Sequence, residues 1–294
     1  MRRRNFLHFA ALQAILPVPA FHGIFANNTG WSASKDNRTW IAREKDLVNS
    51  LEKALHPIGG IRRIMSGRPK VLVKPVMAYN QPPGTGYNTD PVLVKNLIEW
   101  CYKAGAREVS VLDQTRDEWT QTYKNSGIER VAKDAAARVY PANDERYYSM
   151  PESVPDKNLL VHNALVNADI IINLPVVVMP HGEKVKGAID NYLGLVWERD
   201  KCIGSRQSSC IASLLGYKAP QLTIAEIWPE NKQSELSTLD NELRYISVSD
   251  DIVLSDQASA NILGLDYNQV SGVKEAILAG LGQQNPMPEQ IIKV

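Results

Sequence analysis

The chain has 294 residues, with 33 basic and 32 acidic side chains, a balance that gives no electrostatic footprint for nucleic acid or an anionic membrane surface. Its 44% apolar and 22% charged residues are those of an ordinary globular protein. Three cysteines, Cys101, Cys202 and Cys210, are too few and too scattered for a cysteine-rich metal site, so no iron–sulfur cluster is expected.

The chain opens Met1-Arg2-Arg3-Arg4-Asn5-Phe6-Leu7, an arginine pair directly before x-Phe-Leu, which is the pattern read by the twin-arginine translocase. The apolar run that follows, 6–16, is far shorter than the roughly 20 residues a bilayer requires. Residues 1–26 are therefore expected to be a signal peptide, cleaved near Ala20 or Ala26, and the destination is periplasmic or extracellular. Residues 1–20 carry three arginines and no acid, so the mature chain keeps 30 basic and 32 acidic residues. Residues 27–38, rich in Asn, Ser and Asp, read as a flexible leader. Residues 39–294 read as a single α/β domain.

Within that domain, apolar residues at helical spacing predict a helix over 40–55, ended by His56-Pro57 and Gly59-Gly60. Residues 70–76 form a β-branched run, read as a buried strand, and Asn80 to Asn88 is a turn-rich loop suited to touching a ligand. Thr89-Asp90-Pro91 marks a helix start. That helix runs to Lys103 and stops at Gly105, before a strand at 108–112 that ends on Asp113. Strand, crossover helix and strand make a βαβ unit with parallel strands. Further helices are predicted at 127–137, 162–166, 186–196, 208–215, 251–263 and 270–281, and further strands at 169–174, 222–227 and 244–248. The fold class that follows is α/β, a mostly parallel sheet with helices on both faces.

Several pieces in this order resemble the family known as domain of unknown function 362. They are Gly59-Gly60-Ile61, Val71-Leu72-Val73-Lys74-Pro75, Asn88-Thr89-Asp90-Pro91, Ala104-Gly105-Ala106, Asp169 to Pro175, His181, Asn191-Tyr192-Leu193-Gly194 and Gly264-Leu265-Asp266. Some relatives carry an appended ferredoxin-like iron–sulfur segment, which this chain lacks. The resemblance also implies lysines where Met179 and Asp190 stand here, so two positive charges are either missing or displaced to Lys184 and Lys186.

Open parallel sheets bind ligands outside the carboxyl ends of their strands. Lys74, Asp113, Asn173 and Glu226 fall at or near such ends. Lys74 is either a cation for a carboxylate or phosphate, or a lysine whose stem packs beside Pro75 with its head in water. Asp113 is either a base or ligand contact, or a cap for the next segment. Asn173 must have its amide satisfied, through a ligand or through structural hydrogen bonds. His181-Gly182 follows an apolar strand exit, where an imidazole serves as acid, base or metal ligand, or is simply a surface or helix-capping histidine. The candidate set is thus His181 and Asp113 as catalytic residues and Lys74, Asn88, Asn173 and Asn191 as ligand contacts, with no metal set. Gly84-Thr85-Gly86 lacks the remainder of a dinucleotide or phosphate-loop motif. The expected function is binding or transformation of a small anionic metabolite or cofactor of unknown identity. The alternative is an accessory subunit of an exported redox system. Cys202 and Cys210 either pair in an oxidising compartment or remain separate thiols, and Cys101 reads as a packed core residue.

Overall fold

The β-branched run Val71-Leu72-Val73 and its neighbour Val109-Ser110-Val111 do form adjacent parallel strands in the computed structural model, which describes residues 37–178, 184–229, 244–284 and 286–294. The expected signal peptide, most of the leader, and the Met179 and His181 positions lie outside the described residues. The strands are β1 (Thr39–Ala42), β2 (Lys70–Pro75), β3 (Glu108–Val111), β4 (Arg138–Val139), β5 (Tyr148–Ser149), β6 (Val161–His162), β7 (Ile170–Leu174), β8 (Val176–Val178), β9 (Leu222–Trp228), β10 (Tyr245–Ser249) and β11 (Ile291–Lys293). The helices are α1 (Leu47–Leu55), α2 (Pro91–Lys103), α3 (Trp119–Asn125), α4 (Ile128–Asp134), α5 (Asn163–Asn167), α6 (Ala188–Leu193), α7 (Gln207–Tyr217), α8 (Ile252–Leu263) and α9 (Val273–Leu278).

Nine strands make one sheet in the order β11-β1-β10-β9-β7-β2-β3-β4, with β8 extending the β7 edge of β9, while β5 and β6 form a separate hairpin. Only β10 runs against the other strands of the large sheet. The architecture is therefore α/β with a mostly parallel sheet. Strands β7 and β9 are buried at every position, as expected where helices cover both faces. Helices α1, α2 and α4 pack together, and α6, α8 and α9 form another connected group of helices.

Two departures from sequence expectation have clear causes. The helix predicted over 40–55 is a strand followed by a helix. Trp40 and Ile41 pair with Val248 and Ser247 of β10, and Asp46 caps α1 by accepting from the Val48 and Asn49 amides. The helix predicted over 127–137 is α4 alone, entered through Gly127 at φ 74° directly after α3, a conformation glycine adopts without penalty. Cys101 is fully buried, and burial pushes its thiol up to about 12. Cys202 and Cys210 are joined by a disulfide with a Cα–Cα distance of 5.7 Å, which closes the alternative of separate thiols. Among the described residues, no helix is long and apolar enough to cross a membrane.

Chain order places a crevice at the strand ends. From β2 the chain moves through α2 to β3 and β4 on one side, then returns to lay β7 against the other side of β2. Loops leaving β2 and β7 at their carboxyl ends diverge at that point and leave a gap, the position where open α/β sheets take ligands.

Candidate functional site

Lys74 and Asn173 are cross-strand partners in the β2–β7 register, one residue before each strand ends. Their side chains meet Asn191 of α6. Lys74 Nζ donates to Asp113 Oδ1 at 2.6 Å, Asn191 Oδ1 at 2.8 Å and the Pro75 carbonyl at 3.1 Å. Asn191 Nδ2 donates in turn to Asn173 Oδ1 at 2.8 Å and the Lys74 carbonyl at 3.0 Å, and Asn173 Nδ2 donates to the Ala188 carbonyl. Four of the six residues proposed from sequence thus belong to one hydrogen-bonded network.

The network is held from three sides. Asp113, two residues beyond β3, has its backbone amide and carbonyl pinned by the Tyr123 hydroxyl, and its Oδ2 accepts from the Met77 amide at 2.6 Å. Asp256 of α8 is fully buried and accepts from the Ala188 and Ile189 amides at 2.5 and 3.0 Å, which fixes the start of α6 and hence the position of Asn191. Two glycines make the close approaches possible. A β-carbon on Gly187 would lie 2.2 Å from Asp256 Oδ1, and one on Gly194 would lie 3.2 Å from Asp113 Oδ1 and 3.3 Å from Lys74 Nζ.

Burial lowers the pKa of Lys74, and the Asp113 carboxylate pulls it back up. Three acceptors converge on Nζ, whereas a neutral amine has only two N–H donors, so the network matches an ammonium. With every donor used and no exposed surface, Lys74 does not face the cleft. The reading that leaves its head in water does not hold: the ammonium lies beneath Asp113 and Asn191 and meets the Asp113 carboxylate. Asn173 is likewise consumed by structural hydrogen bonds. Asn88 accepts from the Ala78 and Tyr79 amides and donates to the Tyr79 and Gln81 carbonyls, so its amide braces its own loop. Glu226 also stands apart. It is fully buried and paired with Arg244 at 2.7 Å, and burial raises it to about 6 against the pull of Arg244.

Above the network lies a cleft of about 390 Å³, with Asp113 and Asn191 on its wall beside Asp190, Tyr79 and Tyr87. Four cations line it: Arg116, Lys184, Lys186 and Arg199. Lys184 and Lys186 are thus present on this wall. Lys186 donates to the Tyr79 hydroxyl at 3.0 Å, and Tyr79 meets Tyr87 edge to face at 5.4 Å. Arg116 and Arg199 were not legible as site residues. One follows β3 in a loop, the other sits in a short 3-10 turn after α6, and only the fold brings them together. Chemically, the wall offers a carboxylate with both oxygens oriented by the protein, flanked by guanidinium and ammonium groups. Such an arrangement can hold an anion and accept a proton or hydrogen bond beside it. Among the described residues, no group of three or more His, Cys, Asp or Glu side chains could hold a metal ion.

No curated protein matches the chain. The family model described as Domain of unknown function (DUF362) matches residues 71–261, more than half of the chain, from β2 to within α8. That span includes Lys74, Asp113, Asn173, Asn191 and Asp256, so the chain belongs to the DUF362 family.

Proposed function

We propose that the protein is exported and that it binds, and through Asp113 transforms, a small anionic metabolite or cofactor in the cleft at the strand ends. The observation that carries this reading is the ring of Arg116, Lys184, Lys186 and Arg199 around a pocket whose wall includes Asp113 and Asn191. Guanidinium forks and ammonium groups gathered at a strand-end crevice match carboxylate or phosphate oxygens. In this reading Lys74 is a positioning residue that holds Asp113 in place through its 2.6 Å contact, and Asp113 and Asn191, which line the cleft, face the ligand. Native mass spectrometry of protein purified from the exporting cell tests the proposal: a small anionic species should be retained and should be lost in an Arg116→Gln/Arg199→Gln variant.

The second reading is a non-catalytic accessory or binding subunit of an exported redox system. It is favoured by Met179 and Asp190 standing where the family pattern implies lysines. A co-purifying subunit with no retained small molecule in the same spectrum would select it. Export itself rests on Arg3-Arg4 before Phe6-Leu7, and the Cys202–Cys210 disulfide supports it, since such bonds persist in oxidising compartments. Fusion of residues 1–30 to a folded reporter should direct export, and Arg3→Lys/Arg4→Lys should abolish it. Equal export of both fusions would remove the twin-arginine translocase as a partner.

A further inference from the structure

Charge in the cleft is unevenly compensated. Asp113 is already neutralised by Lys74 at 2.6 Å. Of the other described charged side chains on the wall, four are cations and only Asp190 is acidic, a formal excess of three positive charges. Among the described residues, Arg116, Lys184 and Arg199 make no side-chain hydrogen bond or ion pair, and the Lys186 ammonium pairs with the neutral Tyr79 rather than with an acid. Arg199 is close enough to the buried network for its charge to depress the Lys74 pKa further. Like charges gathered around one concavity repel unless an occupant balances them, and a cleft with protein walls focuses that field.

We infer that the natural occupant is a multiply charged anion, bearing at least two negative charges on phosphoryl or carboxyl oxygens, with Arg116 and Arg199 as the residues that select for that charge. This inference rests on the anionic-ligand reading above and adds to it the number of charges. A monoanion would leave two of the three excess charges facing one another. A dianion or trianion balances most of them, and each arginine can hold one group through two parallel hydrogen bonds.

Isothermal titration calorimetry on the mature full-length domain, at constant ionic strength to hold screening fixed, tests it with acetate, inorganic phosphate, citrate and pyrophosphate. Citrate or pyrophosphate should bind at least about tenfold more tightly than acetate, a difference of about 1.4 kcal/mol. Arg199→Gln should shrink that gap, and Arg199→Lys should restore part of it. A preference for pyrophosphate over citrate would assign phosphoryl chemistry, and the reverse would assign carboxyl chemistry. Because Arg199 is only partly buried and has no side-chain partner among the described residues, its variants should unfold at or above the wild-type temperature, which a thermal melt checks. Acetate binding as tightly as pyrophosphate, with both lost in Arg116→Gln, would overturn the charge count and leave the anionic-ligand reading standing. Heats identical in wild type and Arg116→Gln/Arg199→Gln for every anion would overturn both.

Discussion

Lys74→Met is the most informative perturbation of the buried network, because methionine keeps most of the side-chain volume and removes only the ammonium. In the wild type that group satisfies Asp113 Oδ1, Asn191 Oδ1 and the Pro75 carbonyl at 2.6, 2.8 and 3.1 Å, and Asp113 is only 2% exposed. Removal strands a buried carboxylate and two further acceptors. Breaking one side of a buried ion pair costs about 3–5 kcal/mol, which corresponds to a fall in melting temperature of roughly 6–20 °C for a domain of this size. Adding Asp113→Leu should recover part of the loss, since exchanging both partners of a buried pair for apolar groups is often close to neutral. Recovery should stop about 1–3 kcal/mol short, because the Met77 amide loses its acceptor, Asp113 Oδ2. Urea unfolding of wild type, both single variants and the double variant gives the cycle directly. A Lys74→Met protein within about 1 kcal/mol of wild type, or single effects that simply add within the roughly 0.5 kcal/mol expected of independent sites, would refute the network as an energetic unit.

The supports of the site and the Cys202–Cys210 bond can be probed by stability measurements. Gly187→Ala places a β-carbon 2.2 Å from Asp256 Oδ1 and should destabilise by more than about 2 kcal/mol in urea unfolding, whereas a neutral result would show that Asp256 does not need its position. Burial raises Asp256 to about 7, against the pull of the Ile189 and Ala188 amides. A carboxyl whose folded pKa lies above its unfolded value stabilises most at low pH, and that contribution is lost as pH rises towards the folded pKa. The stability of wild type relative to Asp256→Asn should therefore fall between about pH 4 and 7, at up to about 1.4 kcal/mol per pH unit, and level off above; a difference that is flat with pH would refute it. Cys202 and Cys210 lie eight residues apart, so loop-closure entropy assigns their bond about 2.5 kcal/mol. Reductant should lower the wild-type melting temperature and leave Cys202→Ser/Cys210→Ser unaffected.

The parts of this fold that were legible in the sequence are those whose signal is local. The run Val71-Leu72-Val73, the Asp90-Pro91 helix start and the stop before Gly105 gave the β2–α2–β3 unit to within a residue or two. Lys74 stood out because a lysine in an apolar strand must find a partner, and Asp113 because it closely follows the next strand. What stayed hidden depends on tertiary contact. Trp40 and Ile41 have apolar spacing that fits a helix as well as a strand, and only pairing with β10 decides between them. Asp256 looks like one polar residue in an ordinary helix until α8 packs beside α6, 67 and 68 residues away from the amides it accepts from. Gly187 and Gly194 give no local hint that a β-carbon would collide with Asp256 or crowd Asp113. Asn88 is a case where the sequence showed a polar loop residue but not its partners: its amide braces the loop through four hydrogen bonds.

The central claim is that the cleft over Asp113 is the site of an anion. The most direct measurement is a crystal structure grown with tungstate, with the metal located by its anomalous scattering. A peak is expected in the cleft, within hydrogen-bond reach of the guanidinium or ammonium groups of Arg116, Lys186 or Arg199. A peak elsewhere, with this cleft empty at concentrations that raise the melting temperature, would contradict it.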